Sequence, residues 1–325
     1  MKRRNRILRN KKNRVRTAAI AVLAFFCLLA AGSVWQYVKQ KEELASLTPP
    51  GRLYNINSHA MHLYATGQGD TTVVFTTGSG TPCAYTDFYN LQHKLQPYAR
   101  TVSYDRPGFG WSESTDIPRT IDTQAEELHE LLRAAEERPP YILAGHSLAS
   151  LEVIRYAQMY PGEVKGIVLL DGGNPEYYAS NSEFLSVALN RTAAFIRMTG
   201  IARAFGNFGI RLPFVGENVR YRSLPEEAQA ADRVMYYTKL GNKDNLNAIA
   251  NLNENAETVI KGGPLKDIPL IILSSDGDKK WNESQRKLAE WSNQSKQETL
   301  SGAGHYIHWT NEETVIDILI GLINR

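Results

Sequence analysis

The amino-acid sequence predicts an α/β protein in which a mainly parallel β-sheet is covered by helices on both faces. Two observations carry this prediction. Short apolar runs rich in β-branched residues alternate along the chain with longer segments in which apolar residues recur at helical spacing. The chain has 325 residues, of which 42% are apolar, and this is enough to bury one large core. We therefore expect one large folded domain behind a separate N-terminal segment.

The N-terminal segment has the composition of a membrane anchor. Residues 1–16 carry nine Lys and Arg side chains and no acid, and residues 17–38 form an apolar run without a charge. This run is long enough to cross the hydrocarbon core of a bilayer, and Trp35 and Tyr37 suit the interface at its far end. Because basic residues stay on the cytoplasmic side, we expect a single-pass protein of the cell membrane. Residues 1–16 would be cytoplasmic, and the chain from residue 39 would be extracytoplasmic.

A cleaved signal peptide is the alternative interpretation of this segment. Small residues at 30–33 resemble a cleavage site, but the apolar run continues beyond them. Residues 39–51 then form a polar stalk that ends at Pro49-Pro50, and the folded domain is predicted from 52 to 325. The nine basic charges at the N-terminus exceed the net charge of +3, so the rest of the chain is mildly acidic. This charge gives no support to nucleic-acid binding.

Within the domain, predicted strands and helices follow one another in a regular order. Runs of apolar and β-branched residues predict strands at 71–77, 100–104, 141–144, 166–170 and 269–273. Amphipathic spacing predicts helices within 122–138, 151–157 and 312–323. Alternation of this kind is the basis of the predicted parallel sheet, because parallel strands need crossover connections.

A long insertion separates two of these strands. About a hundred residues lie between 170 and 269, and a loop of that length is improbable within a compact domain. We expect a helical lid at about 175–262, inserted after the sixth strand. Its aromatic residues suggest an apolar substrate pocket, and packing of the lid on the core is the alternative. These residues are Phe184, Phe195, Phe205, Phe208, Phe214, Tyr236 and Tyr237.

A serine stands where one strand is predicted to pass directly into a helix, within Gly145-His146-Ser147-Leu148-Ala149. Bulky side chains two positions before or after the serine would collide across so sharp a turn, and Gly145 and Ala149 avoid this. The turn would expose the hydroxyl group of Ser147 and free the backbone N–H of Leu148 to bind an oxyanion. The alternative is an N-cap serine without a chemical role.

Together with three further motifs, this elbow resembles the α/β-hydrolase family over about residues 52–325. In chain order, the other motifs are Thr77-Gly78-Ser79-Gly80, Asp105–Ser112 and Gly302-Ala303-Gly304-His305. The resemblance implies an α/β-hydrolase fold and a serine hydrolase in which Ser147 is the nucleophile and His305 the general base. It also implies that the backbone N–H groups of Ser79 and Leu148 form the oxyanion hole. Thr77 replaces the histidine that usually supports the oxyanion loop of this family.

The resemblance leaves the acid of the site open. Asp278, after the late strand, stands at the usual position and is favoured. Asp171, after the strand that follows the elbow, and Asp276, close to Asp278, are the alternatives. His308 competes with His305 as the base, but an adjacent tryptophan indicates that it packs beneath the loop.

These residues predict a carboxylesterase-like serine hydrolase. It would cleave an ester, or a similarly activated acyl bond, of a small apolar substrate through an acyl-enzyme on Ser147. An aminopeptidase or amidase, and a membrane-tethered non-catalytic sensor of a small ligand, are the alternatives. The expected partners are the acyl substrate and, through the N-terminal helix, the membrane. No cofactor and no metal are expected, and His59 and His62 are predicted to be surface histidines of a strand.

Overall fold

A mostly parallel sheet forms the centre of the computed structural model, which describes residues 2–210, 224–277 and 279–325, with 2–10 described by backbone alone. Its strands are β1 (Arg52–Ile56), β2 (His59–Thr66), β3 (Thr72–Thr76), β4 (Arg100–Tyr104), β5 (Tyr141–His146), β6 (Val164–Leu170), β7 (Leu270–Ser275) and β8 (Ser295–Leu300). Their order across the sheet is β1-β2-β4-β3-β5-β6-β7-β8. The pairs β1–β2 and β2–β4 are antiparallel, and all other neighbours are parallel.

Helices cover both faces of this sheet, which confirms the predicted α/β architecture. The described helices are α1 (Lys2–Ser46), α2 (Ala84–Asp87), α3 (Tyr89–Leu95), α4 (Ile121–Ala134), α5 (Ala149–Met159), α6 (Pro175–Ser180), α7 (Phe184–Met198), α8 (Ile201–Asn207), α9 (Glu226–Lys239), α10 (Lys243–Ala250), α11 (Leu252–Gly262), α12 (Lys279–Lys287), α13 (Ile307–Thr310) and α14 (Glu312–Ile323). Two short 3-10 turns, Pro161–Glu163 and Leu288–Trp291, connect helices to strands.

The apolar core lies on both sides of the sheet. On one side α4, α5 and α11 bury side chains such as Leu128, Leu131 and Ile154. On the other side α3 and α14 contribute Leu95 and Leu319. The strands β3 and β5 are buried along their whole length, which explains why their sequences are continuous apolar runs and not alternating patterns. This packing holds the carboxyl ends of the parallel strands together at one edge of the sheet.

The chain between β6 and β7 is helical over most of its described length. It comprises α6 to α11, which confirms the predicted helical insertion after the sixth strand. We use the name lid for residues 175–262, of which 211–223 lie outside the described residues. Within the lid, α11 packs against α6 and also against α5 of the core, so the lid stands above the carboxyl edge of the sheet.

The N-terminal helix α1 is continuous from Lys2 to Ser46 and contains the whole predicted span 17–38. Its section Lys11–Ser46 is long and apolar enough to cross a membrane, a property that signal sequences share. The side chains of residues 11–28 are all exposed. Burial begins at Leu29, where α1 starts to pack on α7 and α9 of the lid.

The prediction for His59 and His62 is wrong, because both side chains are buried in β2. This strand lies between β1 and β4 and not at the edge of the sheet, so neighbouring segments cover it. His62 Nδ1 lies 2.8 Å from Asp105 Oδ2, and His59 Nε2 lies 3.7 Å from Glu127 Oε1. Each histidine therefore lies beside a buried acid and belongs to the packing of the domain.

Candidate active site

The strand β5 passes into α5 through Ser147, which has a left-handed backbone conformation with a φ of 53°. This conformation is uncommon for a residue other than glycine and is typical of a nucleophile held on a sharp turn. The N–H of Ser147 donates to the carbonyl of Leu170 at 3.1 Å, which ties the turn to β6. A Cβ on Gly145 would lie 3.1 Å from Val153, so the turn needs a small residue there.

The imidazole of His305 lies beside Ser147, in the loop between β8 and α13. Its Nε2 is 3.0 Å from Ser147 Oγ, and its Nδ1 is 2.6 Å from Asp171 Oδ2. An ionised carboxylate only accepts hydrogen bonds, so we assign the ring proton to Nδ1, and Nε2 then accepts the hydroxyl hydrogen of Ser147. The three side chains form one hydrogen-bonded series in the order that proton transfer from a serine requires.

The structure pairs His305 with Asp171, which was one of the alternatives, whereas the sequence favoured Asp278. Asp171 follows β6 and is almost fully buried. Asp278 lies outside the described residues, but both ring nitrogens of His305 already have partners. The adjacent parallel strands β6 and β7 end at the same edge of the sheet, so an acid after either strand was compatible with the sequence. Asp276, the third candidate, accepts from the N–H of Gly302 at 2.7 Å and shapes the histidine loop.

Two residues that no motif indicated hold Asp171 in place. The N–H of Ser275 and Nε2 of Gln285 donate to Asp171 Oδ1 at 2.8 and 2.9 Å. Burial by itself would raise the pKa of this carboxyl group, but hydrogen bonds from His305, Ser275 and Gln285 outweigh it and hold the pKa below its ordinary value. Asp171 is therefore a fixed negative charge at neutral pH.

The predicted oxyanion residues Ser79 and Leu148 line the same cavity as Ser147. Within the part of the chain that the structure describes, neither backbone N–H of this pair donates to a protein acceptor, so both are available to a ligand. Asn245 of α10 holds the loop, because its Oδ1 accepts from Ser79 Oγ at 3.0 Å and from the N–H of Gly80 at 3.2 Å. The lid thus contributes to the position of the oxyanion loop.

Arg106 supplies the support for this loop that a histidine at position 77 usually gives. Its guanidinium group donates to the carbonyl of Thr77, and to the hydroxyl of Thr77 and the carbonyl of Gly78 at 3.1 Å each. The buried carboxylate of Glu152 lies 3.4 Å from the same guanidinium and balances its charge. The loop therefore keeps its anchor although the sequence departs from the family pattern at Thr77.

The lid adds a tyrosine that sequence reasoning missed. The side chain of Tyr178, on α6, lines the same cavity as Ser147, and the residue is nine-tenths buried. Burial raises the pKa of Tyr178 well above its ordinary value, so the hydroxyl stays neutral. A Cβ on Gly173 would overlap the ring of Tyr178. The glycine pair after Asp171 is thus a sequence signal for a side chain packed closely there.

Asp87, His146 and His308 form a buried group next to the ring of His305. Their ligand-type atoms lie within 4.8 Å of one another, so their geometry would fit a metal ion. Hydrogen bonds already engage them, since His308 Nε2 lies 3.2 Å from Asp87 Oδ1 and His146 Nε2 donates to the backbone carbonyl of His305 at 3.0 Å. We interpret the group as packing that positions the histidine loop. Of the two candidate bases, His305 is the one that reaches Ser147.

The burial of His146 makes the fold sensitive to protonation. Burial first, and then the nearby His308 and His305, lower the pKa of His146 well below its ordinary value, so the folded chain keeps this ring neutral. The unfolded chain binds the proton near pH 6.5, so stability is lost as pH falls below about 6.5, by at most about 1.4 kcal/mol per pH unit. His146→Gln keeps a donor for the carbonyl of His305 and should flatten this dependence. Thermal melting of the full chain in detergent between pH 7 and 5 measures it, and an unchanged slope would contradict the expectation.

A cavity of about 620 Å³ opens onto Ser147 and His305, with walls from α6, α7, α10 and α11 of the lid. A second cavity of about 410 Å³ lies beneath α7 and shares Ser79, Ser186 and Ile249 with the first. Both volumes are within the range of small-molecule binding sites. The lid therefore forms part of the wall of the cavity at Ser147 and most of the wall of the second cavity.

The lid aromatics form the expected pocket only in part. Tyr236 and Tyr237 pack inside the lid beside Ala202, which agrees with the packing alternative, and Tyr236 also lines the 410 Å³ cavity. Phe214 lies outside the described residues. Four others are exposed at the outer surface of the lid, where neither a pocket nor core packing accounts for them: Phe184, Phe195, Phe205 and Phe208.

The fold and the geometry of Ser147, His305 and Asp171 are those of an α/β hydrolase. Residues 71–312 match the family model of the alpha/beta hydrolase fold, and the chain belongs to this family. Among curated proteins it is similar to the uncharacterized protein YbdG of Bacillus subtilis strain 168. The identity is 28% over 258 residues, which cover 79% of this chain and 78% of YbdG.

Solved structures with the same fold include enzymes of different chemistry. A thermophilic esterase from Thermogutta terrifontis has a TM-score of 0.63 and 18% identity, covering 84% of this chain and 97% of its own. The epoxide hydrolase VrEH1 from Vigna radiata has a TM-score of 0.65 and 17% identity, covering 84% and 97% in the same way. Because one fold serves both chemistries, the reaction must be argued from the site.

Proposed function

We propose that the protein is a carboxylesterase-like serine hydrolase that forms an acyl-enzyme on Ser147. The observation that carries the proposal is the continuous hydrogen-bonded series from Ser147 through His305 to Asp171, which borders the larger cavity. A serine hydroxyl group is a weak nucleophile and needs a base within hydrogen-bond reach, which His305 provides. Membership of the α/β-hydrolase family supports a hydrolase.

In the proposed reaction, Ser147 Oγ attacks the carbonyl carbon of the ester while His305 Nε2 accepts the hydroxyl proton. Asp171 keeps the other ring proton on Nδ1 and stabilises the imidazolium that forms. The N–H groups of Ser79 and Leu148 stabilise the negative charge on the carbonyl oxygen. His305 then protonates the leaving alcohol. A water molecule attacks the acyl-enzyme with His305 as base, which releases the acid and restores Ser147.

The charges around the larger cavity favour an ester over an amine-bearing peptide. Among its described lining residues, Asp171 is the one acid, and it is committed to His305. No described carboxylate of the wall is then left to bind a substrate ammonium group, which an aminopeptidase would need. The serine at position 147 also argues against epoxide hydrolysis, because that branch of the family uses an aspartate there. The intact series from Ser147 to Asp171 argues against a sensor that lacks turnover.

A fluorophosphonate probe tests the proposal on the full chain in detergent. We expect a covalent adduct on Ser147, mapped by mass spectrometry, and hydrolysis of acyl esters in preference to aminoacyl amides. Ser186→Ala, which removes another hydroxyl group from the cavity wall, should keep both properties. Folded protein without an adduct would contradict the hydrolase. An adduct without turnover of short or long esters would favour the sensor.

We also propose that α1 anchors the protein in the cell membrane, with residues 1–16 in the cytoplasm and the hydrolase domain outside. The basic block on one side of the apolar run supports this orientation. The continuation of the apolar run beyond the possible cleavage site at 30–33 supports an uncleaved helix.

Protease added to intact cells should therefore degrade the chain beyond residue 39 and leave an N-terminal fragment. Blots against tags at the two termini distinguish the fragments, and alkaline carbonate should leave the untreated protein in the membrane. Protection of the C-terminal tag until lysis would contradict the orientation. A released chain that begins near residue 32 would show that α1 is a cleaved signal peptide.

A further inference from the structure

The outer surface of α7 and α8 is apolar and exposed. Residues 184–210 contain no Asp or Glu, and their cations are Arg191, Arg197 and Arg203. Soluble proteins seldom expose a large continuous apolar surface, so such a face indicates a partner. We call it the lid face and define it by eight side chains that are between 40% and 82% exposed: Phe184, Leu185, Leu189, Phe195, Met198, Phe205, Phe208 and Ile210.

The helix α1 is fixed against the same part of the lid. A Cβ on Gly32 would lie 2.3 Å from the carbonyl of Thr199, so the two helices approach closely there. The buried side chain of Gln36 donates to the carbonyl of Tyr237 at 2.6 Å and accepts from Arg203 Nε at 2.8 Å. These contacts set the height of α7 and α8 along the axis of α1, because each involves a specific turn of that helix.

The exposed part of α1 is too short to span a bilayer by itself. Its charge-free, fully exposed section runs from residue 17 to 28 and measures about 18 Å at 1.5 Å per residue. The hydrocarbon core of a bilayer is about 30 Å thick. Snorkelling of Arg16 would add about one helical turn and would not close the difference. The rest of the core must then surround residues 29–36, where Thr199 and Arg203 pack.

We propose that the lid face lies in the extracytoplasmic leaflet of the bilayer that α1 spans. The proposal rests on the anchor proposed above and is independent of the reaction at Ser147. Gly32 lies six residues before residue 38, where the apolar run ends. The contact with Thr199 is therefore about 9 Å deeper in the membrane than the end of this run. Interfacial apolar faces are typically buried by about 5–10 Å, which agrees with this depth.

The charges of the lid suit a lipid surface. Arg197 and Arg203 are turned inward, since Arg197 Nε donates to the carbonyl of Leu240 at 2.7 Å and Arg203 pairs with Glu43 at 2.5 Å. Arg191 is exposed on α7 and can reach lipid phosphates. Leu189 belongs to the lid face and also lines the 410 Å³ cavity, so this cavity lies directly behind the surface that meets the bilayer.

Photoactivatable phospholipids with a diazirine in the acyl chain test this on the full chain in vesicles of phosphatidylcholine and phosphatidylglycerol. We expect adducts in two regions, α1 and residues 184–210. Tyr98 is the matched exposed aromatic control. It precedes β4, at the end of the strands opposite the carboxyl edge that carries the lid, and should carry no adduct. The triple variant Phe184→Gln, Leu185→Gln, Phe208→Gln should lower adducts in 184–210 by about fivefold or more, and Tyr98→Gln should not.

The possible labelling results distinguish the proposed membrane contact of the lid face from the proposed anchoring by α1. Adducts confined to α1 would overturn the lid face as a membrane surface while leaving the anchor intact. Loss of all adducts, with release of the chain by carbonate, would show that the anchor itself fails. Absence of adducts in 184–210 together with cross-links between two copies through this segment would assign the face to a dimer instead. The wild-type chain decides between these results, so an unstable variant would not obscure the answer.

Discussion

Ser147→Ala and His305→Ala are each expected to lower kcat for a reactive ester by a factor on the order of 10⁶, and the double variant should be no slower than either. The reason is that the two side chains act as one unit. Without Ser147 there is no oxygen to form the acyl-enzyme, and without His305 the hydroxyl group of Ser147 keeps its proton. Steady-state hydrolysis by the full chain in detergent measures this, with Ser186→Ala as a control that should stay within a few-fold of wild type.

Independent losses in the double variant would contradict this arrangement. If the effects of Ser147→Ala and His305→Ala multiplied, the two side chains would act in separate steps, and the 3.0 Å contact between them would not be the catalytic one. The fluorophosphonate adduct gives a second readout, because it should disappear in Ser147→Ala and form far more slowly in His305→Ala.

Ser147 could be predicted from the sequence because local chain geometry determines where it lies, whereas His305 was predicted from the resemblance of its loop to a family motif. The small residues Gly145 and Ala149 are needed by the turn itself, and the observed φ of 53° at Ser147 shows the turn they permit. The support of the oxyanion loop could not be predicted in the same way. Arg106 follows β4, whereas the histidine whose support it replaces would stand at position 77, after β3. Only the packing of the loop reveals that replacement.

The position of the lid in the chain could be predicted from the sequence, but which of its side chains face inward could not. A break of about a hundred residues between two strands requires an insertion, and helical patterning gives its class. Whether a phenylalanine of that insertion faces inward depends on what covers it. Phe184 and Phe208 are exposed, and the surface proposed to cover them is the bilayer. Patterns within the lid do not contain that neighbour, so a pocket was expected for side chains that lie at the outer surface.

Asp171→Asn is expected to lower kcat by about 10⁴-fold, whereas Asp278→Asn should leave it within a few-fold. The amide keeps the shape of the side chain but has no charge, so it cannot stabilise the imidazolium of His305. It also presents N–H groups that favour the wrong tautomer of the ring. Hydrolysis of one ester by the two variants measures the difference, and Asp276→Asn should cost only what the bond to the N–H of Gly302 contributes to the loop.

Gln285→Leu distinguishes a positioning effect from loss of the charge. Its Nε2 donates to Asp171 at 2.9 Å, and Asp171 keeps its charge and its bond to His305 when that donor is removed. We expect a loss of about 10-fold to 100-fold in kcat, far smaller than that of Asp171→Asn. If Asp278→Asn were the variant that lost activity by orders of magnitude, His305 would have to exchange partners during turnover. The buried bonds from Ser275 and Gln285 to Asp171 argue against such an exchange, because they stabilise this carboxylate in the position that His305 already uses.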